Sequence, residues 1–125
     1  MKFSLATITL GIAVLPELVS AGFSASCTWD WQDPKYVVAT CKRKDGSKLR
    51  TRQDMNLCIK NDNGYLVPAN NGQAFLTCAN TSKVGPSHID SECDWDEGYV
   101  SINLDTFMEN QDGYLWCFGH RSAPY

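Results

Sequence analysis

Beyond residue 21 the 125-residue sequence has no long apolar run, no C-x-x-C pair, and only two histidines, His88 and His120, with no ligand spacing around them. The first absence leaves nothing there to hold the product in a membrane. The other two argue against zinc, so neither metal nor cofactor is expected. No apolar pattern at helical spacing is long enough to sustain a free-standing helix, which directs the reading towards strands. Neither sign of charge dominates, since 11 Lys and Arg against 14 Asp and Glu leave a net −3. That acidic balance disfavours nucleic acid as a partner, although a local basic patch still attracts phosphate. Catalytic constellations are also lacking. Asp94 and Asp96 stand two apart with no sign of a cleft between them, His120 lies in what reads as an exposed tail from 119 to 125, and no cysteine is left over as a nucleophile. The chain is not expected to be an enzyme.

What is present begins with a leader. Residues 1–21 carry Lys2, an apolar run from Leu5 to Leu15, and Val19-Ser20-Ala21, the three parts of a signal peptide. Cleavage there leaves 125 − 21 = 104 residues, one small exported domain over 22–125. All six cysteines follow the cleavage site, as a secreted framework of disulfides requires.

The domain repeats itself. Asn61, Gly64, Tyr65 and Leu66 return as Asn110, Gly113, Tyr114 and Leu115, each 49 positions on (110 − 61 = 49). Asn-Gly and Asp-Gly ahead of Tyr-Leu are tight-turn signals. Cys27 and Cys41 are 14 apart and Cys78 and Cys93 are 15 apart, so the two repeats run over about 22–68 and 73–118. Six cysteines permit about 15 pairings. If both copies fold alike, Cys27 bonds Cys41 and Cys78 bonds Cys93, which leaves Cys58 for Cys117. Runs such as Tyr36-Val37-Val38-Ala39-Thr40, Ser47-Lys48-Leu49-Arg50-Thr51 and Tyr99-Val100-Ser101-Ile102 favour strands, with room for one helical turn near 56–60. The segment 68–72 reads as a hinge, which leaves exchange of halves between two copies open. Asn80-Thr81-Ser82 is an N-glycosylation sequon. Lys42, Arg43, Lys44, Lys48, Arg50 and Arg52 make a basic end, whereas Asp90, Glu92, Asp94, Asp96 and Glu97 make an acidic one.

The motifs Phe23-Ser24-Ala25-Ser26-Cys27, Ala39-Thr40-Cys41-Lys42-Arg43-Lys44-Asp45-Gly46-Ser47, Ile59-Lys60-Asn61-Asp62-Asn63-Gly64-Tyr65-Leu66 and Ser101-Ile102-Asn103-Leu104-Asp105 occur in order. Together with the repeat and the cysteine spacing, they resemble the cyanovirin-N homology (CVNH) domain, a family of tandem-repeat lectins, and most of all its secreted fungal members. The resemblance implies an all-β, pseudo-symmetric fold of two lobes, each with a triple-stranded sheet, a hairpin and short helical turns. It implies binding of mannose-rich glycans with α1-2 linkages, without metal or catalysis.

Carried over residue by residue, it puts a first site at Ser24, Ser26, Lys42, Lys44 and Asp45, with Phe23 and Ala25 beside them and Asn110 and Asp112 from the other repeat. A second site falls at Asn61, Asn63, Thr77, Asp94, Trp95 and Asp96, flanked by Lys60 and Leu76. Repeat two is shorter there, with 10 positions from Cys93 to Asn103 against 13 from Cys41 to Asp54. Of the tryptophans Trp29, Trp31, Trp95 and Trp116, Trp95 is the one expected to contact a ligand or partner. The competing reading is a secreted interaction protein that kept this fold and no longer binds sugar.

Overall fold

In the computed structural model the described residues are 22–94 and 98–125; the expected leader at 1–21, together with Trp95, Asp96 and Glu97, lies outside them. The chain is all-β, with helical structure among the described residues confined to single 3-10 turns. Strands β1 (Cys27–Gln32), β2 (Tyr36–Lys42) and β3 (Lys48–Asp54) form an antiparallel sheet, followed by the hairpin β4 (Ile59–Asp62) and β5 (Tyr65–Pro68). The second copy repeats this order with β6 (Ala79–Val84), β7 (His88–Asp94) and β8 (Gly98–Asn103), then β9 (Glu109–Gln111) and β10 (Tyr114–Cys117). Each hairpin packs on the other copy's sheet, β10 against β3 and β5 against β8. A lobe therefore draws on both repeats.

The core carries the same duplication. Met55 and Leu104, Ile59 and Met108, and Leu66 and Leu115 are pairs 49 apart (104 − 55 = 49), and all six are buried. Burial of side chains this size stabilises by roughly 1.5 to 3 kcal/mol each. Before the first of these turns, Asp54 accepts a hydrogen bond from the Asn56 amide at 3.0 Å. Before its counterpart, Asn103 accepts from the Asp105 amide at 3.0 Å. These are N-caps of the ordinary kind, and they explain why short helical turns form at Met55–Leu57 and Leu104–Thr106. Trp29 and Trp31 share the inner face of β1, where Trp29 meets Phe23 at 5.6 Å and Trp31 meets Phe75, from the second copy, at 4.9 Å between ring centroids.

Disulfides join Cys27 to Cys41, Cys78 to Cys93 and Cys58 to Cys117. The first lies on directly paired positions of β1 and β2. The third ties the end of β10 to the first repeat across 59 positions.

The C-terminal segment departs from expectation. Residues 119–125 are not a free tail; they form β11 (His120–Arg121), which pairs with β10, and β12 (Ala123–Pro124), which pairs with β3. Phe118 and Gly119, at φ 51° and 79°, reverse the chain so that β11 can return along β10. Ser122 is buried; its hydroxyl accepts from the Leu115 amide at 2.9 Å and donates to Thr51 at 2.7 Å. Gln53, also buried, donates to the carbonyls of Leu115 at 3.3 Å and His120 at 2.9 Å. The segment thus adds a fourth strand to the first sheet and a third to the second hairpin. Two-residue strands held by buried polar groups leave no apolar alternation to read, which is why this part looked like tail.

Candidate carbohydrate site

The two repeated turns are built alike and each is clamped to the other repeat. In the second copy, the Asn110 side-chain oxygen accepts from the Gly113 amide at 2.7 Å, while its NH2 donates to the Ser26 hydroxyl at 2.8 Å and the Lys42 carbonyl at 3.0 Å. In the first copy, Asn61 accepts from Gly64 at 2.8 Å and donates to the Thr77 hydroxyl at 3.0 Å and the Cys93 carbonyl at 3.1 Å. Asn63 and Asp112 sit at φ 52° and 50°, and Gly64 and Gly113 at 95° and 94°. Two consecutive positive φ values define the type I′ turn that Asn-Gly and Asp-Gly favour. A Cβ on Gly113 would stand 2.9 Å from side-chain atoms of both Arg43 and Leu49, so the turn reaches the first sheet only because no side chain is there.

A second pair of clamps lies behind the first. Asn56 accepts from the Phe75 amide at 2.7 Å. Its counterpart Asp105 accepts from the Ser24 amide at 2.9 Å and, through its other oxygen, from the Ser24 hydroxyl. Ser24 is thereby turned towards Asp105, and Phe23 is wholly buried. Ser26 contributes its hydroxyl to the Asn110 clamp. Of the expected first site, these residues and Asn110 align the backbone, whereas Lys42, Lys44 and Asp112 present side chains outward.

Those outward groups line a groove of about 690 Å³ formed where the Asn110 to Gly113 turn docks on the first sheet's hairpin. Lys42, Arg43 and Lys44 make one wall, and Asn110, Gln111 and Asp112 the other. Asp112 bridges the walls, accepting from the Lys44 amide at 2.9 Å and pairing with the Arg43 guanidinium at 3.3 Å. The Lys44 amide first, and then Arg43, hold the Asp112 carboxyl below the usual carboxylate range. Asp45 is at the hairpin tip, where it accepts from the hydroxyl of Ser47 at 2.6 Å and from its amide at 2.9 Å; both bonds depress its pKa. It shapes the turn and does not line the groove. Arg43 enters the sequence reading as part of the basic end but not as a site residue, and Gln111 not at all, although each lies between two expected site residues. A smaller recess of about 160 Å³ borders Ala25, Ser26, Lys42 and Lys48.

At the other end Asn61, Asn63 and Thr77 are together as expected, and Asp94 ends β7. Trp95 and Asp96, expected beside them, lie outside the described residues. Leu76, at the position after Phe75, is 74% exposed. Asn80 is exposed on β6 at the bulge between Ala79 and Ser82, with φ 55° and its amide donating to Glu92 at 2.6 Å.

Among the described residues no group of three or more His, Cys, Asp or Glu side chains is arranged to hold a metal ion.

Comparison with known proteins agrees with this architecture. A family model described as the CVNH domain matches residues 23–116. Among solved structures, the crystal structure of the MoCVNH3 variant Mo0v in complex with (N-GlcNAc)4 superposes with a TM-score of 0.68 at 19% identity, over 78% of this chain and 97% of that one. The CVNH of Gibberella zeae gives a TM-score of 0.64 at 19% identity, over 78% and 97% of the two chains. The microvirin complex with mannobiose gives 0.58 at 25% identity, over 77% and 97%.

Proposed function

The chain belongs to the CVNH family, non-catalytic carbohydrate-binding domains, and from that premise we propose that it is a secreted lectin for mannose-rich glycans with α1-2 linkages. The observation that carries the proposal is the groove between residues 42–44 and 110–112, where a carboxylate, ammonium groups and turn backbone stand side by side. A sugar hydroxyl both donates and accepts, so neighbouring hydroxyls need an acceptor and a donor at fixed separation. Asp112 uses one oxygen for Lys44 and the other for Arg43, and an ionised carboxylate has about four acceptor positions, which leaves capacity for two hydroxyl protons. Lys42 and Lys44 supply donors. Microvirin, a relative of the same fold, is known in complex with mannobiose, which supports mannose as the sugar.

Hydrogen bonds of about 0.5 to 1.5 kcal/mol each, a few per site, give weak binding to one terminus. A glycan with many mannose termini compensates by multivalency. The leader at 1–21 supports export, and the sequon at Asn80 suits a glycosylated secreted product.

A glycan array probed with the wild type and with Asp112→Ala tests the reading, with mannose-terminated and GlcNAc oligomers both displayed. Mannose-terminated hits that vanish in the variant are the expected result. Hits confined to GlcNAc oligomers would move the specificity to that sugar. Silence across the array at high protein density would favour a protein partner for this fold.

A further inference from the structure

The groove does not stop at the turn. It continues onto the outer face of the sheet β9–β10–β11, where Tyr114, Trp116 and Arg121 extend its lining. Register fixes this arrangement: Gln111 pairs with Tyr114, Glu109 with Trp116, and Trp116 with Arg121, so these side chains share one face while Leu115 and Cys117 point into the core. Arg121 lies 4.3 Å over the Tyr114 ring and Arg43 lies 6.0 Å from the same ring's centroid. Arg121 follows the last residue of the family match, residue 116, and is delivered by β11, the strand that the reversal at Phe118 and Gly119 creates.

We propose that this face is a subsite for an anionic substituent, phosphate or carboxylate, on the glycan held at the turn; the inference rests on the mannoside reading of the adjoining groove. Charge supports it first. Lys42, Arg43, Lys44 and Arg121 line the groove against a single lining carboxylate, Asp112, in a chain whose net charge is −3. Asp112 is paired with Arg43. Glu109, at the far end of the face, accepts from Gln111 at 2.7 Å and is separated from Arg121 by Trp116 in the cross-strand row. Among the described residues no carboxylate forms an ion pair with Lys42, Lys44 or Arg121. Geometry supports it second. A guanidinium held over a phenol ring is restricted in its rotamers, so less freedom is lost when it binds a phosphate or carboxylate bidentately. Trp116 beside it offers apolar area for the C–H face of the sugar that bears the charge.

Calorimetry on the intact, disulfide-bonded protein tests this with three probes: α1-2 mannobiose, the same disaccharide phosphorylated at O6, and the same disaccharide capped with glucuronic acid. At least one charged probe should bind roughly tenfold more tightly than the neutral one in low salt, the gain expected of charge-assisted hydrogen bonds, and the gap should shrink as salt screens it. The charged probe that gains more identifies the anion. Arg121→Gln should abolish the gap while neutral mannobiose binds as in the wild type, Arg121→Lys should restore part of it, and Trp116→Ala should reduce it. Equal affinity for all three probes in the wild type overturns this inference and leaves the mannoside reading standing, as does a gap that survives Arg121→Gln in a folded variant. Binding of a charged probe with no binding of the neutral one overturns the mannoside reading and supports the anionic face alone. No binding of any probe overturns both.

Discussion

The two Asn-x-x-Gly turns, Asn61 to Gly64 and Asn110 to Gly113, make the same three hydrogen bonds with the same geometry, yet they meet different surroundings. The second places Asp112 between Lys44 and Arg43; the first has Asn63 at the matching position and docks on Thr77 and Cys93 of the second copy. Duplication has therefore preserved the groups that dock each hairpin and has diversified the groups beside them. Stability and recognition are separable on this fold, because the amides that hold it together are engaged in clamps and the side chains available to a glycan are their neighbours.

The largest break in that comparison comes from the feature the two halves do not share. Replacing both Cys58 and Cys117 by Ala removes the tie between the repeats; the loop-entropy relation for a closure of this length puts the loss at about 4 kcal/mol, read as a shift in urea midpoint. Next, Asn61→Ala and Asn110→Ala should destabilise by similar amounts, about 3 kcal/mol for three hydrogen bonds worth about 1 kcal/mol apiece. Only Asn110→Ala should also weaken binding at the groove. Unequal stability losses in chemical denaturation would show that the clamps are not equivalent.

A smaller effect, about 2 kcal/mol, is expected of Gly113→Ala, where the left-handed φ and the close approach of Arg43 and Leu49 both penalise a Cβ. The thermal midpoint gives that value.

How far these distinctions were legible in the sequence depends on what writes them. Turn residues, paired cysteines and the repeat are local or periodic patterns, so the all-β fold, all three disulfides and the recurring turn could be read from residues such as Gly64, Gly113 and Cys58. The roles of Ser24 and Asn110 could not. A polar side chain is the same letter whether it faces sugar or another repeat, and only the tertiary contact with Asp105 or Ser26 decides. Trp116 was hidden for a similar reason. It sits between the buried Leu115 and Cys117, and the outward face it occupies became part of a groove only through β11, which no periodicity announced.

The smallest effects concern Asp112 itself. Asp112→Asn keeps the size and is expected to leave the thermal midpoint within a degree or two, since the pair with Arg43 is exposed, while mannoside affinity falls roughly tenfold, the cost of about one charge-assisted hydrogen bond. The pH dependence follows from the depressed carboxyl. The contribution of Asp112 is present above its unfolded-state pKa and is lost only as pH falls through the lower folded value, so binding should stay flat from neutral pH through the usual carboxylate range and decline below it. A decline centred on the ordinary aspartate value in a calorimetric pH series would count against the Lys44 and Arg43 contacts.

An amide-detected NMR titration of the isotope-labelled protein with α1-2 mannobiose addresses the first-lobe groove most directly. Concentration-dependent shifts gathered at residues 42–45 and 110–113 are predicted. Shifts gathered instead around Asn61, Asn63 and Thr77, or no shifts at saturating sugar, would contradict it.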